Sequence, residues 1–213
     1  MKAIPKRTLL VTCVVILLPM FFGLALWNRL PERMPTHFDF SGTANGYSSR
    51  PFAVIGIPLF ILAMQLFCAV MLRADPKKQN ISEKMAQLVL WVCPAASLFA
   101  GLSVYLSALG FAINVSRFGM VFVGLIFIAI GNYLPKCRHN YTVGIRVPWT
   151  LDDEENWNHT HRFAGYVWII AGVVTLLSVF LGHATVVWFA AIFVASLSPL
   201  VYSFIYAKRH GKI

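Results

Sequence analysis

The sequence predicts an all-α integral membrane protein with six transmembrane helices. Of its 213 residues, 58% are hydrophobic and only 12% are charged, whereas a soluble domain carries roughly 25% charged residues. Six runs that lack Asp, Glu, Lys, Arg and His are each near the length of about 20 residues that a helix needs to cross a bilayer. These runs are Thr8–Trp27, Phe52–Leu72, Leu88–Ile113, Phe118–Leu134, Phe163–Leu181 and Thr185–Ala207.

The basic residues predict the direction in which the helices cross. Fourteen of the eighteen Lys and Arg residues, including Lys2, fall on one side of the predicted membrane and four on the other. Because Lys and Arg accumulate in cytoplasmic loops, both termini are expected in the cytoplasm. The net charge of +10 is thereby interpreted as a topology signal, so no direct nucleic-acid partner is expected. Gly182, His183 and Ala184 are predicted to form the turn between the last two spans.

The segment Arg29–Arg50 is predicted to form a compact loop outside the cell. Within it, Asn45-Gly46 is a strong turn signal. His37 and Asp39 lie close together in the sequence and are the candidate binding residues of this loop. The alternative is that their side chains bond within the loop and hold its shape.

The segment Asn140–Arg162 is the densest polar stretch of the chain and is predicted to be cytoplasmic. Thr150 is expected to cap a helix, with Asp153 as its capping-box partner. That helix is expected to continue through Trp157 and His161 into the fifth span.

Histidines and acids in this segment raise the question of metal binding or catalysis. His159 and His161 are about 200° apart on a helix, so their rings do not converge. The acids Asp152–Glu155 favour the positive end of the helix dipole without a metal. No nucleophile elbow, zincin helix or phosphate loop is present in the sequence. We therefore predict no enzyme activity, catalytic residue, metal site or cofactor.

Three further expectations concern single side chains. Arg146 is expected to pair with the acids or with lipid phosphate, unless it only holds the loop in place. Trp149 and Trp157 are expected at the membrane–water interface. Small residues within the spans are expected to mark close helix packing; they are Gly101, Gly124, Gly131 and Gly172.

Two groups of residues resemble the motifs of a known family. The run Gly144-Ile145-Arg146-Val147-Pro148-Trp149-Thr150, followed by Glu155-Asn156-Trp157 and Thr160-His161-Arg162, resembles the signature of the SdpI family. The outer loop resembles a second module that commonly precedes it, through Pro35, His37, Phe38, Gly42 and Asn45-Gly46. The chain is accordingly divided into a two-helix region, residues 1–72 with outer loop 29–50, and an SdpI-like four-helix region, residues 88–207 with inner loop 136–162.

The resemblance implies a multi-pass protein of the bacterial plasma membrane that gives immunity to a secreted peptide toxin by binding. It also implies a relay in which the protein holds a cytosolic transcriptional repressor at the membrane. The expected partners are therefore the lipid bilayer, the toxin and this repressor. On this hypothesis, His37 and Asp39 meet the toxin, and an inner set responds to it or contacts the regulator. The inner set is Arg146, Trp149, Thr150, Trp157, His161 and Arg162.

Other functional classes stay open at this point. A small-molecule or lipid transporter would have a central polar cavity. An enzyme at the inner membrane interface would use His159, His161 and the neighbouring acids. A signalling role without immunity would require a cytosolic partner for the inner loop.

Overall fold

Six helices of the computed structural model, which describes residues 6–181 and 184–212, are long and apolar enough to cross a membrane. The predicted polytopic helical fold is thereby confirmed. The helices are α1 (Lys6–Ala25), α2 (Ile57–Ala74), α3 (Glu83–Ala108), α4 (Val115–Tyr133), α6 (Glu154–Ser178) and α7 (Ala184–Arg209), and a short helix α5 (Pro148–Leu151) precedes α6. Lys2, Gly182 and His183 lie outside the described residues. Ala184, which was predicted to lie in the turn, begins α7 instead.

Several helix boundaries differ from the predicted apolar runs. Helix α3 ends at Ala108 instead of Ile113, because Gly110 adopts a left-handed conformation with φ +83°. Such a glycine ends a helix even where the apolar run continues. Helix α6 begins at Glu154, nine residues before the apolar run, and continues through Trp157 and His161 into the fifth span, as predicted.

The outer loop contains a β-hairpin that the sequence did not predict. Strands β1 (Arg33–Phe38) and β2 (Ala44–Ser49) pair antiparallel, and Arg33 lies opposite Ser49. The prediction of a turn at Asn45-Gly46 was wrong, because both residues belong to β2. Gly46 lies opposite His37, and a Cβ on Gly46 would lie 2.8 Å from that of His37. Close cross-strand approach, rather than a turn, therefore accounts for this glycine.

By their contacts, the described residues divide into two compact units. The first unit contains residues 6–70 and 87–119, and the second contains residues 71–86 and 120–212. The earlier division into residues 1–72 and 88–207 concerns sequence modules and stays a prediction.

The first unit is held together by polar contacts between apolar helices. The Gln65 side-chain amide is fully buried, and its Nε2 donates to Thr12 Oγ1 at 2.8 Å and to the Leu90 carbonyl at 3.0 Å. Ser97 donates to the Ile16 carbonyl, and Tyr105 donates to the Pro19 carbonyl. Interhelical hydrogen bonds of this kind stabilise packing where no hydrophobic effect acts between helices.

In the second unit, α4 and α6 approach so closely that their backbones touch. Gly124 faces Gly172, and Gly131 faces Gly165. A Cβ on Gly172 would lie 2.6 Å from the Gly124 carbonyl oxygen, and one on Gly131 would lie 3.0 Å from the Gly165 carbonyl oxygen. The expected close packing is thus seen at these glycines. It places the start of α6 beside the end of α4.

We expect Gly172→Ala to destabilise the protein, because the added methyl group would collide with the α4 backbone. Overpacking of this kind costs about 1–3 kcal/mol. The midpoint of thermal unfolding in detergent, followed by circular dichroism, is the measurement.

Gly119→Ala is the matched control on α4. Its added Cβ would lie 3.6 Å from the nearest side-chain atom, which belongs to Phe99. An equal loss of stability in both variants would contradict close α4–α6 packing as the cause.

Candidate functional site

A polar loop, residues 137–147, connects the end of α4 to α5. Asn140 is almost fully buried and closes its first turn. Its Oδ1 accepts the amide protons of Thr142 at 2.9 Å and Val143 at 2.7 Å, and its Nδ2 donates to the Arg138 and Val143 carbonyls. One side chain therefore satisfies the backbone groups of a segment that has no regular secondary structure.

Trp157 and His161 form the support on which the polar loop lies. Trp157 is 0% exposed, and its Nε1 donates to the Cys137 carbonyl at 2.8 Å. The His161 ring stacks on Trp157 at a centroid distance of 4.0 Å. Trp157 is therefore a buried core residue, and its place at the membrane–water interface stays a prediction.

The hydrogen bonds of His161 assign its tautomer. Nε2 accepts the Ile145 amide proton at 2.9 Å, so Nδ1 carries the proton and donates to the Trp157 carbonyl at 2.8 Å. Gly144 lies against this ring with φ +122°, and a Cβ there would overlap His161 Nε2. The ring, the glycine and the loop backbone therefore fit together only with a neutral imidazole and no side chain at position 144.

Thr150 closes the far end of the polar loop. It is fully buried in α5, its Oγ1 lies 2.8 Å from the Ile145 carbonyl oxygen, and it accepts the Val147 amide proton at 3.1 Å. Helix α6 is capped by Asp153, whose Oδ1 accepts the Glu155 amide proton. The predicted capping box of Thr150 with Asp153 was therefore wrong, because Pro148 starts a separate short helix before α6.

Trp149 and Asn156 join this region to α7. Trp149 Nε1 donates to Ser203 Oγ at 2.8 Å, and the Trp149 ring meets Phe204 edge to face. Asn156 is fully buried, and its Nδ2 donates to the Ser203 carbonyl at 3.0 Å. Both contacts end at one turn of α7, so the orientation of α5 is fixed from two sides.

Arg146 and Arg162 are exposed, unlike Thr150, Trp157 and His161. Arg146 Nη1 donates to the Tyr141 carbonyl at 2.7 Å. Arg146 thus bonds to the loop backbone instead of to the predicted acids. The predicted inner set is therefore of two kinds: buried residues that hold the loop, and exposed cations that can reach a ligand.

The sequence analysis missed the loop between α2 and α3. Asp75 is only 4% exposed, and its Oδ2 accepts the Tyr141 amide proton at 2.9 Å and the Thr142 hydroxyl proton at 2.5 Å. Lys77 Nζ donates to His139 Nδ1 at 2.7 Å, and Asn80 Nδ2 donates to the His139 carbonyl at 2.7 Å. The sequence feature that could have indicated this role was Asp75 itself, an acidic residue next to the end of α2 in an otherwise basic segment.

The candidate outer residues bond within the hairpin. His37 Nδ1 lies 2.6 Å from Asn45 Oδ1. Asp39 Oδ1 accepts the Ser41 hydroxyl proton at 2.6 Å and the Ser41 and Thr43 amide protons at 2.9 and 3.0 Å. The Ser41 hydroxyl first, and then these amides, lower the pKa of the Asp39 carboxyl below its ordinary value of 3.8. The contacts agree with the interpretation that both side chains hold the loop in shape.

Two other side chains bear on chemistry in the polar loop. His159 is exposed and stacks on Tyr206, whereas His161 is buried, so the two rings do not converge. Within residues 6–181 and 184–212, no three His, Cys, Asp or Glu side chains are placed to hold a metal ion. Burial raises the pKa of the Cys137 thiol to about 11, and its Sγ lies 3.4 Å from the Val143 carbonyl oxygen. Cys137 is therefore a protonated structural residue at neutral pH.

Comparison with known proteins places this region within a family segment. Residues 136–203 match the SdpI/YfhL protein family, and residues 14–62 match a domain of unknown function, DUF1648. The chain is 24% identical over 206 residues to Immunity protein SdpI of Bacillus subtilis (strain 168), covering 94% of this chain and 96% of that protein. No solved structure matches. The resemblance to the SdpI family is thereby confirmed, and the chain is a multi-pass protein of the bacterial plasma membrane.

We expect His161→Phe to lower the free energy of unfolding by about 1–3 kcal/mol, because the Ile145 amide would lose its buried acceptor. Phenylalanine keeps the ring that stacks on Trp157, so the change isolates the hydrogen bonds. Unfolding in detergent would be followed by tryptophan fluorescence. The control is His159→Phe at an exposed position, and equal losses in both variants would argue against this role of His161.

Asp39→Asn is expected to increase deuterium uptake in residues 39–43 several-fold at neutral pH, because the amide is a weaker acceptor than the carboxylate. Since the folded-state pKa of Asp39 is lowered, its contribution is present above pH 3.8 and is lost as the pH falls below that value. Glu32→Gln, at an exposed position just before β1, is the control. Unchanged uptake in the Asp39 variant would show that the carboxylate does not organise this turn.

Proposed function

We propose that this chain is an integral membrane immunity protein that gives resistance to a secreted peptide toxin by binding. The observation that carries the proposal is its alignment with an immunity protein along nearly the whole length of both chains. The family segment at residues 136–203 also coincides with the polar loop, its support on α6 and the turn of α7 that holds them.

The polar loop supports binding rather than catalysis. Both His161 ring nitrogens are occupied by backbone groups. Asp75, Thr150 and Asn156 are buried and hydrogen-bonded to the loop or to α7. Polar groups used in this way fix a shape, and a fixed loop that presents exposed cations suits recognition of a ligand.

We assign the polar loop to the cytoplasmic side. In the second unit, Asp75 contacts Tyr141, and Lys212 lies 3.9 Å from Asp153. The α2–α3 loop, the polar loop and the C-terminal segment therefore share one end, where most of the basic residues lie. The excess of Lys and Arg in cytoplasmic loops supports this orientation. The hairpin then lies outside the cell.

Each side has a separate role in the proposal. The hairpin, with His37 and Asp39 holding its shape, meets the toxin at the outer surface. The polar loop, through Arg146 and Arg162, contacts a cytosolic transcriptional repressor and relays the presence of toxin. The surface that carries Arg146 and Arg162 is held in position by four further residues, Trp149, Thr150, Trp157 and His161.

Expression of this protein in a toxin-sensitive bacterium is expected to raise survival under a secreted, membrane-active peptide toxin. The Arg146→Ala variant is expected to reach the same level in the membrane as the wild-type protein, because Arg146 is exposed. It is expected to weaken the signal to the repressor more than it weakens protection. Colony counts with quantified membrane expression give the first result, and a repressor-controlled reporter gives the second.

Lys208→Ala is the control for a lost exposed cation at the same side of the membrane. No protection at good expression would sink immunity to that toxin. The transporter hypothesis would then be tested by substrate flux in vesicles.

A further inference from the structure

Tyr141 is the point at which the polar loop meets the α2–α3 loop. Lys77 Nζ lies 5.6 Å from the centroid of its ring, and Arg146 Nη1 donates to its carbonyl at 2.7 Å. The Tyr141 side chain is 43% exposed. A lysine and an arginine from two separate segments therefore lie around one accessible aromatic residue.

We propose that Lys77, Tyr141 and Arg146 form a binding face for an acidic segment of a cytosolic protein. The inference rests on the proposed function, because it requires this side of the protein to face the cytoplasm. It adds the α2–α3 loop to the inner surface and names the chemistry of the partner.

The Asp75 carboxylate beside this face is buried. Asp75 accepts the amide protons of Lys77 and Tyr141 and is 4% exposed. The exposed residue Arg138 adds to the positive charge of the polar loop. An approaching carboxylate would therefore meet accessible cations, while the Asp75 carboxylate is occupied within the protein.

Both cations are held by the protein itself, which favours a specific carboxylate over diffuse attraction to lipid. Lys77 Nζ donates to His139 Nδ1 at 2.7 Å, and Asn80 fixes the His139 carbonyl. Arg146 uses one Nη for Tyr141, so the rest of its planar fork is oriented for a bidentate acceptor. Attraction to anionic headgroups needs only mobile surface charge. Held cations lose less side-chain entropy when they bind.

The test measures binding of a fluorescein-labelled hexaglutamate peptide to the full-length protein in phosphatidylcholine nanodiscs by fluorescence anisotropy. We expect saturable binding that Lys77→Gln and Arg146→Gln each weaken about threefold to tenfold, the range for hydrogen bonds to charged groups at partly exposed sites. Glutamine removes the charge and keeps a polar side chain, and thermal unfolding checks that both variants are folded.

Lys78→Gln is the matched control, because it removes the same charge from the adjacent exposed residue. An effect below twofold supports a local face, and the Lys77–Arg146 double variant should then lose less than the product of the single effects, since one peptide contacts both residues. An equal effect of Lys78→Gln would overturn the proposal in favour of diffuse charge.

Two other results would also overturn it. One is the absence of saturable peptide binding by the wild-type protein. The other is retention of phosphatidylglycerol by the wild-type protein but not by the variants, together with no peptide binding, which would assign the face to lipid. Survival under toxin is measured separately on the same variants. If the wild-type protein protects fully but does not bind the peptide, only the proposed binding face is contradicted. If the wild-type protein gives no protection, the proposed immunity is contradicted.

Discussion

The polar loop depends on a neutral histidine that is held between a tryptophan and a backbone amide. His161 accepts the Ile145 amide proton, donates to the Trp157 carbonyl and lies flat on the Trp157 ring. A second proton on the imidazole would remove the acceptor from a partly buried amide, which costs more than one hydrogen bond is worth when it is formed. Trp157 also donates to the Cys137 carbonyl. Both ends of the polar loop are therefore bound to one turn of α6.

A second support comes from outside the family segment. Asp75 lies beyond residues 136–203, and yet its carboxylate binds the Tyr141 amide and the Thr142 hydroxyl. A buried carboxylate is stable only when such donors replace its water. The α2–α3 loop and the polar loop therefore order each other. Changes at Asp75 would alter the surface around Arg146 without touching a ligand.

The sequence predicted the six helices because their signal, a long apolar run, comes from the bilayer and not from tertiary contacts. It failed where local signals compete. Asn45-Gly46 is typical of a turn, but cross-strand contact with His37 uses the glycine within a strand. Thr150 is typical of a helix cap, but Pro148 starts an earlier turn. The hydrogen bond of Asp75 to Tyr141 could not be predicted, because the two residues are 66 positions apart in the sequence.

The two parts of the family motif are complementary to each other in space. Gly144 leaves room for His161, Thr150 closes the loop that contains Arg146, and Asn156 binds the same α7 turn as Trp149. Most of these side chains are buried, so their hydrogen-bonding groups are paired with other groups of the protein. A match to this motif therefore reports the shape of the loop, and not the identity of what it binds. In the proposed function, specificity comes from the exposed residues that this shape presents, Arg146 and Tyr141 first.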